Sequence, residues 1–451
     1  MAPQKFTFEP YPPIPHPAPH LRVQRLEITR LTPSESALEH STPLIATIVA
    51  GLGLAFVFGL LAQKLRLPLI AGYLLSGVVI GPFTPGYVAD QHLAAELSEL
   101  GVILLMFGVG LHFSLKELLA VKTIAIPGAL GQILVATGFG AAVGWLMGWS
   151  LGASLIFGLS LSVASTVVLL RALQERHLET TERGHIAVGW LVVEDLAMVL
   201  ALVMIPPLAG LLGGKPVPLD AGAAEVARIG LGPLTATLLV TAVKVSAFVA
   251  LMLIVGRRLI PWLLDYVAMT GSRELFRLSV LAIALGVAFG SSAIFGVSFA
   301  LGAFFAGMVM AGSTLSAQAM KDVMPLRDAF AVLFFVSVGM LFNPMILLEH
   351  PVAVLATVAV ILLVKSLAAY GIMRAFGHDR AAALTIAASL AQIGEFSFIL
   401  IVMGVNLTIV PPEARDLVVA GAMLSILVNP LLFHLIDRRF AAPPQAEPLP
   451  E

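Results

Sequence analysis

The chain contains no cysteine, so disulfide bonds, thiolate metal sites and cysteine nucleophiles are all excluded. Charged residues are also scarce, at 12% of 451 residues, compared with about 25% in soluble domains. A net charge of −1 leaves no basic excess to attract nucleic acid. The HExxH, GxSxG and phosphate-loop motifs are missing as well. Common hydrolase and nucleotide-binding classes therefore find no support, and we expect neither enzyme activity nor a cofactor.

Apolar residues dominate what is there. They make up 59% of the chain, and the mean hydropathy is +0.98. This composition predicts an all-α polytopic membrane protein, because only helices or closed barrels satisfy the backbone within a bilayer. Two of the predicted spans are shorter than the roughly 20 residues of a straight crossing. Hydropathy predicts about thirteen spans: 43–63, 68–83, 94–113, 123–148, 150–173, 184–213, 229–256, 275–292, 296–312, 325–348, 351–377, 382–407 and 413–438.

The loops between these spans carry an uneven distribution of basic residues. By the positive-inside rule, the loops rich in Lys and Arg are cytoplasmic. We therefore expect a multi-pass protein of the bacterial inner membrane with its N-terminus outside and its C-terminus in the cytoplasm. The opposite set of loops holds only Lys215, Arg228 and Arg415. The basic set comprises Lys64, Arg66, Lys116, Lys122, Arg171, Arg176, Arg183, Arg257, Arg258, Arg273, Arg277, Lys321, Arg327, Arg374, Arg380, Arg438 and Arg439.

Both ends of the chain read as tails. Residues 1–42 include the proline-rich run Pro10–Pro19, which cannot form a helix. We interpret them as a disordered tail or as an overlong translation start. Residues 439–451 are predicted to be a short cytoplasmic tail.

The thirteen spans divide into six, one linker and six. A linker with an odd number of spans gives the second half the opposite orientation in the membrane. We therefore predict a first repeat (43–213), a linker helix (229–256) and an inverted second repeat (275–438). The short spans 68–83 and 296–312 occupy the second position of each half, and polar-interrupted spans 150–173 and 382–407 occupy the fifth. Broken helices at matching places predict a midplane binding site. Neutral oxygens at these breaks come from Ser162, Ser165, Thr166 and Gln392.

Two adjacent carboxylates, Glu194 and Asp195, interrupt the apolar run from Ile186 to Gly214. Each costs roughly 2.5–3.5 kcal/mol at the centre of a membrane helix on insertion scales. A chain that keeps such a pair is expected to move protons or cations. Asp195 is the predicted site, binding a monovalent cation when ionised and a proton otherwise. The alternative is a structural carboxylate paired inside the bundle.

Other charged residues also lie within the predicted spans. Glu194 projects about 100° around the helix from Asp195, so we expect it to face a basic group instead, with Lys365 favoured and Lys244 as the rival. Glu395 could neutralise a half-helix N-terminus or a buried base, or lie on the proton path. Arg327 and Asp328 are expected to form an interfacial ion pair.

With these residues in place, the chain resembles the Kef-type members of the monovalent cation:proton antiporter-2 family, and within it the YbaL-like branch. The matching segments follow the family order over residues 43–438, nearly the whole membrane part. They are Gly72–Pro82, Leu100–Leu111, Ser162–Thr166, Val193–Leu196, Gly302–Gly307, Pro325–Asp328, Leu333–Met340 and Ala391–Phe396.

The resemblance implies a homodimer whose protomers each have a dimerisation domain and a six-helix core. Two discontinuous helices, 150–173 and 382–407, would cross beside the ion-binding Asp195, with Lys365 as the core lysine. Transport would be elevator-like, the core sliding to expose Asp195 to each side in turn. Potassium-linked relatives typically have Gln at position 194 and sodium-linked relatives have Asp. Glu194 with Lys365 would allow a second proton to be carried.

Three function classes remain open at this stage. The leading one is a secondary-active antiporter exchanging K⁺ or Na⁺ for H⁺ without a cofactor. The second is a channel-like potassium efflux protein, and the third, less favoured, is an intramembrane enzyme. Many Kef relatives append a nucleotide-binding regulatory domain, so such regulation would come from a separate subunit here.

Overall fold

The computed structural model describes residues 43–65, 67–112, 115–174, 176–178, 181–216, 221–228 and 232–440. Every regular element within these ranges is helical, and they contain no strand. The predicted N-terminal tail, 1–42, lies outside the described residues, and so does Arg66. Of the predicted C-terminal tail, 439–451, residues 439 and 440 belong to the last helix and residues 441–451 lie outside the described ranges.

Nineteen helices follow one another along the described ranges, and two short π-helical turns interrupt them. They are α1 (Pro43–Lys64), α2 (Leu69–Val79), α3 (Gln91–His112), α4 (Leu115–Leu146), α5 (Leu151–Leu161), α6 (Thr166–Gln174), α7 (Glu182–Leu208), α8 (Ala221–Arg228), α9 (Pro233–Leu251), a π turn (Met252–Gly256), α10 (Arg257–Met269), α11 (Arg273–Phe295), α12 (Phe299–Ala311), α13 (Ser316–Met340), α14 (Ile346–Glu349), α15 (Pro351–Ala359), a π turn (Val360–Val364), α16 (Lys365–Ala375), α17 (Arg380–Ser389), α18 (Glu395–Asn406) and α19 (Pro412–Phe440).

The helices have the length and apolarity of membrane spans. Within the described part of the chain, nine helices are long and apolar enough to cross a bilayer, when α9 with α10 and α15 with α16 are each counted as one helix through the π turn. The helices α2, α5, α12 and α18 are apolar but shorter. Large apolar side chains such as Phe56, Leu134 and Ile254 are exposed on their outer faces, as lipid-facing residues are. The all-α polytopic fold class is thus confirmed, while the number of thirteen crossings stays a prediction.

The helices pack in two groups. In the first, α3 lies against α12 and α13, α1 and α13 lie against α2, and α11 lies against α12. In the second, α4 contacts α5, α7 and α16, while α18 contacts α5 and α19. Each group thus combines helices from both halves of the chain.

Glycines allow the closest approaches within the groups. A Cβ atom on Gly307 of α12 would lie 2.2 Å from the Phe107 carbonyl oxygen of α3. One on Gly158 of α5 would lie 2.2 Å from the Thr137 carbonyl oxygen of α4. Small residues at such contacts let membrane helices pack backbone to backbone.

The two polar-interrupted spans are discontinuous, as predicted. Residues 162–165 separate α5 from α6, and residues 390–394 separate α17 from α18. The extended segments cross at Ser165 and Gly394, where a Cβ added to Gly394 would lie 2.4 Å from Ser165 Cβ. Glycine at position 394 is therefore what permits the crossing.

Several predicted boundaries were wrong. The span predicted at 325–348 begins at Ser316 and ends at Met340. Pro325 lies inside α13 rather than at its start, since a proline removes only one helical hydrogen bond and long membrane helices tolerate that. The linker helix predicted at 229–256 continues through the π turn to Met269 at the end of α10. The extension, α10, is amphipathic and contains charged residues, so its hydropathy is too low to predict that the helix continues.

Candidate functional site

Helix α7 places Asp195 beside the break between α5 and α6. Its carboxylate is 3% exposed, and Oδ2 accepts a hydrogen bond of 3.1 Å from the Thr166 hydroxyl. Oδ1 is buried and accepts no hydrogen bond from the residues that the structure describes. The carboxylate thus faces the start of α6 and not the lipid, and one of its oxygens is uncommitted.

Glu194, the preceding residue, contacts a different set of groups. Its Oε2 accepts a 2.8 Å hydrogen bond from the backbone N–H of Ala164, and its Oε1 accepts one from the side-chain amide of Gln132. Both oxygens are therefore occupied. Because Glu194 and Asp195 bond to different groups, and successive side chains project about 100° apart on a helix, the two neighbouring carboxylates do not converge on one point.

Lys365 does not form the direct ion pair expected from the sequence. The lysine is fully buried at the start of α16, and its ammonium donates to the Gln392 carbonyl oxygen at 2.9 Å. It interacts electrostatically with Glu194, but no nitrogen–oxygen distance of 4.0 Å or less joins these two described residues. The physical reason is that both oxygens of Glu194 accept hydrogen bonds from Gln132 and Ala164. The ammonium of Lys365 instead donates to a backbone carbonyl in the break between α17 and α18. The predicted rival, Lys244, lies in α9 and is not among the groups that influence Glu194.

Gln392 ties the two breaks together. Its Oε1 accepts from the Ser165 backbone N–H at 2.9 Å, and its Nε2 donates to the carbonyl oxygens of Ser165 and Ser389 at 3.2 and 3.3 Å. Helix ends leave backbone groups without intrahelical partners. One buried amide therefore satisfies such groups on both interrupted helices and holds them in register.

Glu395 is the first residue of α18 and is buried. Its Oε2 accepts a 3.1 Å hydrogen bond from the Ser165 hydroxyl, and its Oε1 has no hydrogen-bond partner within the described ranges. It interacts electrostatically with Asp195 and with Arg327. A carboxylate at this position is also favoured by the positive end of the helix dipole.

The charges around the crossing do not cancel. Asp195, Glu194 and Glu395 contribute three negative charges when ionised, and Lys365 contributes one positive charge. The charge of Arg327 is balanced by Asp328, to which it is paired at 2.7 Å. When all its groups are ionised, this described cluster therefore carries a net charge of −2, and one monovalent cation or one proton would halve it.

Arg327 lies in the middle of α13, since this helix begins at Ser316 and not at the predicted residue 325. It does form the expected pair with Asp328, at 2.7 Å, and only 22% of its side chain is exposed. Its influence on Glu395 was missed in the sequence, since α13 and α18 are far apart in the chain.

Sequence reasoning also missed two buried amides. Gln132 of α4 donates to the Ser162 carbonyl oxygen at 3.2 Å, and Asn429 of α19 donates to the Ala388 carbonyl oxygen at 2.7 Å. The only sequence signal was an isolated amide within an apolar span. Ser162, predicted to offer a neutral oxygen at the break, instead donates its hydroxyl to Leu159 O within its own helix.

Comparison with known proteins gives concordant matches. The family model described as "Sodium/hydrogen exchanger, transmembrane" matches residues 52–436. The chain is 60% identical over 404 residues to a protein of Escherichia coli (strain K12) named as a cation/proton antiporter, YbaL, covering 90% of this chain and 70% of that one. It is 32% identical over 371 residues to the K(+) efflux antiporter 4 of Arabidopsis thaliana, covering 82% of this chain and 60% of that one.

A solved structure shares the fold. The sodium proton antiporter MjNhaP1 from Methanocaldococcus jannaschii superposes with a TM-score of 0.60, covering 87% of this chain and 97% of that chain. The sequence identity is 16%, so this likeness concerns the architecture alone. The chain thus shares its helical arrangement with a far more distant protein than the two sequence relatives.

Proposed function

The chain belongs to the sodium/hydrogen exchanger family, and from that premise we propose that it is a secondary-active antiporter exchanging K⁺ or Na⁺ for H⁺. The observation that carries the proposal is the Asp195 carboxylate. It is buried at the meeting point of two broken helices, and one of its oxygens accepts no hydrogen bond from the described residues. Such an oxygen can bind either a proton or a cation.

Competition at Asp195 provides the coupling. The cluster around the crossing carries a net negative charge when its groups are ionised, and exposing a net charge to hydrocarbon is costly. Binding of one cation or one proton at Asp195 lowers that charge, so the loaded core moves more readily than the empty core. Exchange rather than leakage follows from this rule.

The movement that we propose is elevator-like alternating access. The helices α4–α7 and α15–α19 carry all the site residues except Arg327, and they would slide against α1–α3 and α11–α13. In a homodimer the latter group would supply the fixed interface. The distribution of basic residues over the loops supports a multi-pass protein of a bacterial inner membrane with its C-terminus in the cytoplasm.

The transported cation is K⁺ or Na⁺. The Arabidopsis relative is named as a K(+) antiporter and the structural neighbour as a sodium antiporter. Glu194 makes position 194 acidic, which the resemblance links to sodium exchange. Because Lys365 and Glu194 each have their own neutral partners, Lys365 could release a proton without leaving Glu194 unpaired, which is compatible with a second proton per cycle.

Flux in proteoliposomes tests the proposal. A pH gradient should drive uptake of K⁺ or Na⁺, and solid-supported-membrane currents with Na⁺, K⁺ and Li⁺ at several pH values would identify the ion. Asp195→Asn should abolish coupled exchange while the protein remains folded. Asp265→Asn, which alters an exposed carboxylate on α10, is the matched control and should exchange normally.

Two results would contradict the proposal. Coupled exchange retained in Asp195→Asn would remove this carboxylate from the mechanism. Voltage-driven cation current that does not depend on the pH gradient would instead identify a channel.

A further inference from the structure

Asp195 is not the only carboxylate at the crossing with an uncommitted oxygen. Asp195 Oδ1 and Glu395 Oε1 are the two buried carboxylate oxygens that lack a hydrogen-bond partner among the described residues. The other oxygen of each is held by a neighbouring hydroxyl, from Thr166 and Ser165 respectively, at 3.1 Å in both cases. The two hydroxyls belong to consecutive residues, whose Cα atoms lie about 3.8 Å apart. The two carboxylates are therefore held by neighbouring points of the same segment.

From these two unpartnered oxygens we propose that Glu395 is a second direct ligand of the transported cation, beside Asp195. The inference rests on the proposed antiport function and extends it. Hard cations are bound by carboxylate, hydroxyl and carbonyl oxygens, and the site would offer Asp195 Oδ1 and Glu395 Oε1 as its anionic ligands. Asp195 and Glu395 also interact electrostatically, so the two carboxylates lie near each other.

A purely structural role does not account for both oxygens of Glu395. As the first residue of α18, Glu395 interacts with its own backbone N–H at the helix N-terminus, and Oε2 bonds to the Ser165 hydroxyl. Nearby Arg327 bonds to Asp328 through both Nε and Nη2. No described group bonds to Oε1, so one buried oxygen is left to meet a ligand.

The two-carboxylate site carries a consequence for selectivity. Coulombic attraction grows as the distance between the charges shortens, so two anionic oxygens favour small cations more than one does. Replacing Glu395 with glutamine should therefore weaken the binding of Li⁺ and Na⁺ more than the binding of K⁺. Loss of a residue with only a structural role would weaken the binding of all three cations to the same extent.

The test measures transport by Glu395→Gln over a range of Li⁺, Na⁺ and K⁺ concentrations at fixed pH. We expect the half-saturating concentration of the transported cation to rise at least tenfold, with a larger rise for the smaller cations. Arg327→Gln is the matched control for general electrostatics. It removes a positive charge that acts on Glu395, so the half-saturating concentration should fall.

An unchanged half-saturating concentration in Glu395→Gln, or an equal rise for all three cations, would overturn the proposal. Loss of folding in that variant would be resolved with Glu395→Asp and Ser165→Ala, which displace or release the same carboxylate and should also raise the half-saturating concentration. Coupled exchange persisting in Asp195→Asn would refute the antiport site itself. The two failures are therefore distinguishable.

Discussion

Lys365 and Glu194 provide a quantitative test of how the buried charges are arranged. Replacing Lys365 with methionine keeps most of its volume but removes the hydrogen bond to the Gln392 carbonyl oxygen. A hydrogen bond from a charged group contributes about 1.5–3 kcal/mol. The variant also removes the positive charge that acts on the buried Glu194 carboxylate, and the distance between the two groups limits how much this loss can cost.

The coupling between the two charges has an upper limit. Their nitrogen and oxygen atoms are more than 4.0 Å apart, so at an effective dielectric constant near 20 they attract by less than about 4 kcal/mol. Glu194→Gln keeps hydrogen-bonding capacity towards Gln132 and Ala164. We therefore expect the double variant to be about 1–3 kcal/mol more stable than the sum of the two single losses.

Unfolding of the purified protein in detergent, followed for the wild type, both single variants and the double variant, completes this cycle. Combining Lys365→Met with Asp265→Asn gives a control pair, which should be additive. Additivity within about 0.5 kcal/mol for Lys365 and Glu194 would refute the electrostatic coupling. A coupling energy above about 4 kcal/mol would instead indicate a direct ion pair.

Three further predictions follow from the site. Because protons and cations compete at Asp195, the half-saturating cation concentration should rise as pH falls, measured as transport currents between pH 6 and 9, and a constant value would exclude competition at one site. Gly394→Ala should destabilise the protein strongly, since its Cβ would lie 2.4 Å from Ser165 Cβ, whereas Gly290→Ala, with nothing within 4 Å, should change the melting temperature little or raise it. Gln132→Leu should lower the free energy of unfolding by about 2–6 kcal/mol, because it leaves two buried acceptors unsatisfied at about 1–3 kcal/mol each, and an unchanged stability in thermal unfolding would contradict this.

The predicted contacts of Glu194 illustrate where sequence reasoning stops. Helical geometry alone separates Glu194 from Asp195 by about 100°, and the structure gives them different hydrogen-bond partners. Which group meets Glu194 could not be obtained in the same way. Gln132 and Ala164 reach it because α4 and the broken helix pack against α7, and an isolated glutamine in an apolar span carries no signal of such a contact.

The sequence by itself determined that the chain is a helical membrane protein, that its fifth and twelfth predicted spans are interrupted, and that its buried charges include Asp195, Glu194, Lys365 and Glu395. These features can be recognised in the sequence because a bilayer requires long apolar helices and makes every charge within them costly. Only the tertiary structure decided which of these charges approach one another and which oxygens remain uncommitted. Such contacts join residues up to 230 positions apart, as in Ser165 and Glu395, and they arise from the packing of helices whose local patterns do not encode it.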